Sequence, residues 1–300
     1  MFGNFNLSAP NRALSVGIVL ATAALSLAPS FVKADRLDDM ISPISHPVNF
    51  EDPRQSTELR PIYAYHELDD DFVTGGGNVQ IYALQARFQV SDDLSIIATK
   101  DGYVDLNSKS TVAKDEGFAN IAAGVKYSFF KDESSIISGG LRYEIPVGEK
   151  EVLQGEGDGV FNPFVSAAVA IDNINLMAGT GFRIPIDNED SSFYDLDLHA
   201  SYKLGSFYPL VELGVIHVID GGERLPIADE GEDFFNLGSS DSDGETLVTM
   251  AVGARYRITD DIDVGAAWEF PLNEGPGTRI LDNRVTVDLI YRFCPCAIFG

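Results

Sequence analysis

The sequence predicts an all-β protein, a single antiparallel transmembrane β-barrel of about twelve strands. Three observations predict it. First, residues alternate with period two. From Tyr194 the even positions read Tyr194, Leu196, Leu198, Ala200, Tyr202 and Leu204, while the odd ones read Asp195, Asp197, His199, Ser201 and Lys203. Second, the opposing face carries charge rather than hydroxyls. In a dry core each unpaired charge costs several kcal/mol, so the ionic face must enclose water or a dense lattice of ion pairs. Third, short and long connections alternate along the chain, which sorts tight turns to one rim and long loops to the other.

Arg12 leads an apolar run from Ala13 to Ala28, followed by Val32, Lys33 and Ala34. This reads as a secretory signal peptide spanning 1–34; an uncleaved anchor is the alternative, although the run is short for a span. Removing Arg12 and Lys33 takes the net charge from −25 to a more acidic −27. Residues 35–56 hold three prolines and little periodicity, an irregular periplasmic lead-in or plug. Strands are expected at 57–68, 77–90, 94–106, 117–130, 134–147, 159–171, 174–186, 192–204, 206–218, 246–258, 261–271 and 283–293. The short turns (91–93, 131–133, 172–173, Gly205 and 259–260) take turns with longer segments at 69–76, 107–116, 148–158, 187–191, 219–245 and 272–282. Bacterial outer-membrane barrels have this asymmetry, with periplasmic turns and outer loops, and an even count sets both barrel ends on the periplasmic rim. One strand is awkward, because its register places Lys100 outward; a bulge near Gly102 or a register switch would turn it in. The barrel is expected over 57–293, and 294–300 form a tail. Its Cys294 and Cys296 are too close for an unstrained bridge and too few for a metal site.

The faces assign the residues. In 117–130, Ala119, Ile121, Ala123, Val125, Tyr127 and Phe129 share the lipid face against Asn120, Lys126 and Ser128. Aromatics fall in two sets: Phe88, Tyr127, Phe129, Tyr202, Phe207, Tyr256, Tyr291 and Phe293 near the short turns, and Tyr63, Tyr143, Phe182, Tyr194, Trp268 and Phe270 toward the long loops. Two lipid–water interfaces would select such girdles. The inward, pore-lining set comprises Arg87, Lys126, Arg142, Glu144, Arg183, Asp195, Asp197, His199, Glu212, Arg255, Arg257, Asp263, Glu269, Arg284 and Asp288. A wall of mixed sign discriminates by size and polarity more than by strict charge.

An excess of 46 acids over 21 bases argues against a nucleic-acid partner. No phosphate cradle, His-rich cluster or haem motif occurs, so neither cofactor nor metal centre is expected. Residues 220–245 hold nine acids and one base, which reads as a solvated, partly disordered outer loop that attracts divalent cations only loosely. His199-Ala200-Ser201 is similar in spacing to the pair of outer-membrane phospholipase A, where it must face lipid. Here the pair shares the wet face with Asp195 and Asp197, so the expectation is no enzyme.

Residues 57–293 resemble bacterial outer-membrane β-barrel proteins. The closing "RVTVDLIYRF" looks like their terminal strand, and the resemblance implies that Phe293 is read by the barrel-insertion machinery, although "CPCAIFG" follows it. More narrowly, "LRYEIPVGEK" at 141–150 and "FRIPIDNED" at 182–190 resemble the strand-end signature of barrels of the meta pathway of phenol degradation, which implies a hydrophobic or aromatic permeant. The expected function is an outer-membrane channel or uptake porin for a small molecule, with lipid, permeant and insertion machinery as partners. The alternatives are a non-transporting barrel sealed by its own salt bridges and an exported soluble sandwich.

Overall fold

The computed structural model describes residues 36–109 and 115–294. The expected signal peptide, Cys296 and most of the C-terminal tail lie outside the described residues. The chain forms β1 (Glu58–Leu68), β2 (Gly77–Gln89), β3 (Leu94–Lys100), β4 (Tyr103–Ser108), β5 (Asp115–Phe118), β6 (Ile121–Lys131) and β7 (Ser135–Ile145). It continues with β8 (Val160–Ile171), β9 (Ile174–Pro185), β10 (Ser192–Tyr202), β11 (Phe207–Asp220), β12 (Thr246–Thr259), β13 (Ile262–Pro271) and β14 (Asn283–Arg292). All pairings between these strands are antiparallel, and β1 bonds to both β2 and β14, so the sheet closes and leaves no edge.

Two wall strands are broken, which is why fourteen segments make a twelve-stranded barrel. β3 and β4 are halves of one strand, interrupted at Asp101 and Gly102; both pair with β2. Gly102 has φ +126°, and a Cβ there would lie 2.6 Å from the carbonyl of Tyr82, so only glycine fits. The Asp101 carboxylate accepts the Leu84 amide at 3.0 Å that the ladder gives up. Register shifts between Ala98 and Lys100 against β6, and this bulge points Lys100 inward. β5 and β6 are likewise one strand broken at Ala119 and Asn120. Here the expectation needs correction. Ala119 does not face lipid but packs among buried apolar residues, because the break releases it from the alternation.

The outer face follows the period-two reading. Leu84, Ile96, Val125, Leu141, Val165, Val252 and Leu289 are exposed and form the belt that meets hydrocarbon. Aromatic pairs bracket it: Tyr127 with Phe129 and Tyr291 with Phe293 toward the short turns, Tyr143 with Phe161, Phe182 with Tyr194 and Trp268 with Phe270 toward the long loops.

Candidate functional site: the filled lumen

Residues 36–56 run inside the barrel as a bent hairpin that enters and leaves by the short-turn rim. Its first limb begins where the Arg36 amide donates to Glu133 at 2.9 Å and Lys203 pairs with Asp39 at 2.6 Å. It rises to Pro47, whose carbonyl accepts from Gln85 at 2.6 Å. Its second limb returns to the same rim at Thr57, whose carbonyl accepts the Phe293 amide. Arg54 staples the limbs by donating to the carbonyls of Leu37 (2.9 Å) and Met40 (2.7 Å) while pairing with Asp52 at 2.6 Å.

The wall grips this hairpin through the ionic face. Glu51 sits between Arg87 (2.7 Å) and Lys126 (2.8 Å), and Lys126 also donates to the carbonyls of Asp52 and Arg54. Glu212 accepts the amides of Ile44 at 2.9 Å and Ser45 at 2.7 Å. The two ring nitrogens of His46 face Asp197 at 2.6 Å and Glu269 at 2.7 Å, a pattern that an imidazolium satisfies from both sides. Arg255 and Arg60 converge on Asp288 and donate to the carbonyls of Ser42 and Pro43. Near the rim, Arg257 and Arg292 share Asp263, and Arg257 reaches the carbonyls of Asp38 and Met40. The apolar side chains of the hairpin pack too: Leu37, Met40 and Phe50 against Ile136, Ala168 and Met177, and Ile41 and Ile44 against Leu210 and Ala251.

Wall glycines cut the notches. A Cβ on Gly214 would lie 1.8 Å from the His46 ring, one on Gly265 2.7 Å from Ile44, and one on Gly179 2.8 Å from Phe50. Period-two reading treats each of them as a neutral inward position, so nothing in the alternation distinguishes a notch from a weak strand residue.

The opposite rim is closed differently. Residues 220–245, expected as a solvated, partly disordered loop, instead fold over the barrel mouth, with Glu230, Glu232, Phe235 and Leu237 buried. The reason lies in its apolar centre. Phe234, Phe235 and Leu237 pack with Phe72, Val152, Ile280 and Leu281 from the other long loops and with inward Val79, Leu106, Phe193, Val218 and Leu247 of the wall. Some of its acids are tied: the Glu230 carboxylate accepts from Ser191, Leu237 and Ser239, and Asp229 pairs with Arg279 at 2.9 Å. Others are not: among the described residues, both oxygens of Glu232 and one of Glu245 are buried without a hydrogen-bond partner. Burial, with Glu230 and Glu245 nearby, holds the Glu232 carboxyl well above the usual range despite Arg183. Burial likewise pushes Glu245 up to about 7 and Asp190 up to about 6, the latter against the pull of Arg224.

The fifteen residues picked from sequence all project to the interior, and the structure supplies the partners that alternation leaves open. Arg142 and Glu144 do not pair with each other: Glu144 takes Lys100 at 2.5 Å, and Arg142 donates to the carbonyls of Val48 and, at 3.1 Å, Asn49. Arg183 pairs with Asp195 at 2.9 Å, and Arg284 bridges Asp233 (2.6 Å) and Glu269 (2.7 Å), linking the outer loop to the His46 site. Glu58, Arg60 and His66 are also interior, a set that extending the parity of β1 would have found. His199 stands between Glu212 at 2.7 Å and the Ser201 hydroxyl at 3.0 Å. This relay has the order of a nucleophile–base–acid set, yet Ser201 is only 5% exposed and Glu212 is already engaged by the hairpin amides. Its geometry holds the plug; a substrate has no approach to it in this state.

The chain matches no protein-family model and no curated protein. It is similar in structure to an outer-membrane channel from Pseudomonas putida F1, at 15% identity and a TM-score of 0.58, over 85% of this chain and 100% of that one. It is also similar to the NanC porin, at 9% identity and a TM-score of 0.52, over 79% of this chain and all of the other. The likeness is one of fold: a closed antiparallel β-barrel, the fold of these two outer-membrane proteins.

Proposed function

We propose that the chain is a passive outer-membrane channel for small solutes, here closed from the periplasmic rim by residues 36–56 and at the outer rim by residues 221–245. One observation carries this reading. The hairpin that fills the lumen contributes no rung to the barrel's strand ladders and enters and leaves by one rim, so it can withdraw while the wall stays intact. What it would uncover is an ion-lined passage, with Arg87, Lys126, Asp197, Glu212 and Glu269 turned to water. The exposed apolar belt and its aromatic borders support a membrane setting for the barrel, the terminal-strand resemblance supports Phe293 as the residue offered to insertion machinery, and the strand-end resemblance at 141–150 and 182–190 favours a permeant with an apolar body.

A second reading, a barrel permanently sealed as a structural or surface protein, draws on the same filled lumen. Planar-bilayer conductance of the chain lacking residues 37–52 separates the two. The channel reading expects a several-fold rise in open conductance over the full chain. No current from a variant that retains heat-modifiable gel mobility, and hence its barrel, leaves the sealed reading in place.

A further inference from the structure

The outward face of the barrel does not have one character all the way round. At and just past the outer ends of β9, β11 and β13 it is still apolar, with Ile184, Ile186, Ile219 and Leu272 exposed. On β1, β2, β4 and β5 it changes. Strand register sets Tyr63 beside Tyr82, Tyr82 beside Tyr103 and Tyr103 beside Phe118, a row of rings across four strands. Ring centroids are 5.2 Å apart for Tyr63 and Tyr82 and 5.3 Å for Tyr103 and Phe118. Such a row suits the boundary between hydrocarbon and water. Period two then sets the next outward rung toward the long loops as Tyr65, Gln80, Asp105 and Glu116, and the one beyond it as Glu67, Asn78 and Asn107.

These rungs line an open groove of about 580 Å³, with Tyr65, Asn78, Gln80 and Asn107 along it and Lys109 among its borders. Gln80 is held in place. Its Oε1 accepts from the Tyr63 hydroxyl at 3.0 Å and from the Tyr82 hydroxyl at 3.3 Å, which directs its Nε2 toward Asp105 at 3.5 Å. The other oxygen of Asp105 accepts from the Asn107 carboxamide at 2.7 Å. Two carboxamides thus flank one carboxylate, and each keeps a second N–H to offer. The Asn78 carboxamide makes no hydrogen bond among the described residues. Lys109, the cation of the groove, is already paired with Asp70 at 2.6 Å.

We propose that this groove binds the saccharide headgroup of an outer-leaflet glycolipid. The proposal rests on the membrane setting inferred above and is independent of whether the lumen conducts. An outward groove just beyond a row of rings meets headgroups rather than acyl chains. Its chemistry then selects among them. Sugar hydroxyls both donate and accept, which matches the carboxamides of Asn78, Gln80 and Asn107, and a hydroxyl donating to ionised Asp105 makes a charge-assisted bond. A phosphate only accepts, and here it would face Asp105, Glu116 and Glu67 with no unpaired cation to meet it. The acyl chains of a glycolipid seated there run down over Tyr82 and Leu84, both exposed, onto the apolar belt. A free sugar lacks that second contact, so the lipid-linked form is the occupant.

The test is native mass spectrometry of the full chain released from polyoxyethylene-detergent micelles. The micelles carry equal amounts of diglucosyldiacylglycerol and phosphatidylethanolamine with the same acyl chains. Retention of the glycolipid over the phospholipid by about tenfold is expected, the worth of one or two net hydrogen bonds. Gln80→Leu combined with Asn107→Leu should bring the two lipids to within about twofold. Both side chains lie on the outer surface, and heat-modifiable mobility confirms that the variant retains the barrel. Equal retention by the unmodified chain, an unchanged preference in the variant, or displacement of the glycolipid by excess free maltose overturns the site. The membrane setting fails separately: a chain that stays folded and monodisperse with no amphiphile removes the lipid face altogether, whereas one that needs detergent yet retains both lipids equally loses this site alone.

Discussion

The barrel is closed at two levels by opposite chemistries. The hairpin of residues 36–56 is held by buried charges, with Glu51 between Arg87 and Lys126, and His46 between Asp197 and Glu269. The outer loop is held by burial of Phe234, Phe235 and Leu237 among apolar side chains. Burial of each such side chain contributes on the order of 1.5–3 kcal/mol and depends little on direction. A buried ion pair contributes little net stability, but breaking one side of it costs about 3–5 kcal/mol because the survivor is left uncompensated. The hairpin is therefore the specific, all-or-none closure, and the loop the tolerant one. Arg284 touches both, pairing with Asp233 of the loop and Glu269 beside His46, so the two closures share one cation.

The sharpest way to break this contrast is Glu51→Gln, which strips Lys126 of its acid and leaves Arg87 only Glu58 at 3.4 Å. Docking of the hairpin should weaken by about 3–5 kcal/mol, read as a loss of roughly two to four orders of magnitude in hydrogen-exchange protection at the amides of Ile44 and Ser45. Protection unchanged within tenfold would show that apolar packing, not charge, holds the hairpin. A smaller effect is expected from Gly214→Ala, which drives a methyl into the His46 ring while leaving every charge in place. It should cost about 1–3 kcal/mol, seen at the same two amides, with the outer loop unaffected. Equal deprotection of amides in residues 229–239 would mean that the closures are not separable.

The smallest effect is a pH dependence confined to the loop. Glu245 of the loop, at about 7, and Asp190 of the β9–β10 connection beneath it, at about 6, hold their protons more tightly with the loop closed than with it opened and solvated, where carboxylates titrate near 4. Protonation therefore favours closure. Its contribution is full below about pH 4 and is lost as pH rises through 6 and 7. Exchange of the amides of residues 229–239, corrected for intrinsic rate, should accelerate across that window. A flat profile would remove these carboxyls from the closure.

Much of this architecture can be read along the chain, for a physical reason. In a barrel the side-chain period is two everywhere, so Asp195, Asp197 and His199 are interior as soon as Tyr194, Leu196 and Leu198 are recognised as lipid-facing. Parity fails where the ladder is broken. Lys100 and Ala119 both turn inward next to interruptions whose cause, Gly102 against Tyr82 and Asn120 against Gln154, lies in neighbouring segments. It also says nothing of what meets an inward charge. Arg142 and Glu144 stand two apart on one face, yet one holds the hairpin's carbonyls and the other Lys100 of another strand. Composition misreads the acidic loop, because nine carboxylates outweigh two phenylalanines and a leucine in any average.

The strand count, the two faces, the sorting of turns from loops and the inward charges can all be read from the chain, because each depends on spacing alone. That the lumen is filled cannot be read this way. Residues 36–56 have no periodicity, and their fit depends on notches at Gly179, Gly214 and Gly265 and on acids and bases drawn from strands on all sides of the barrel. That complementarity is a property of surfaces brought together from distant positions, and no local pattern encodes it.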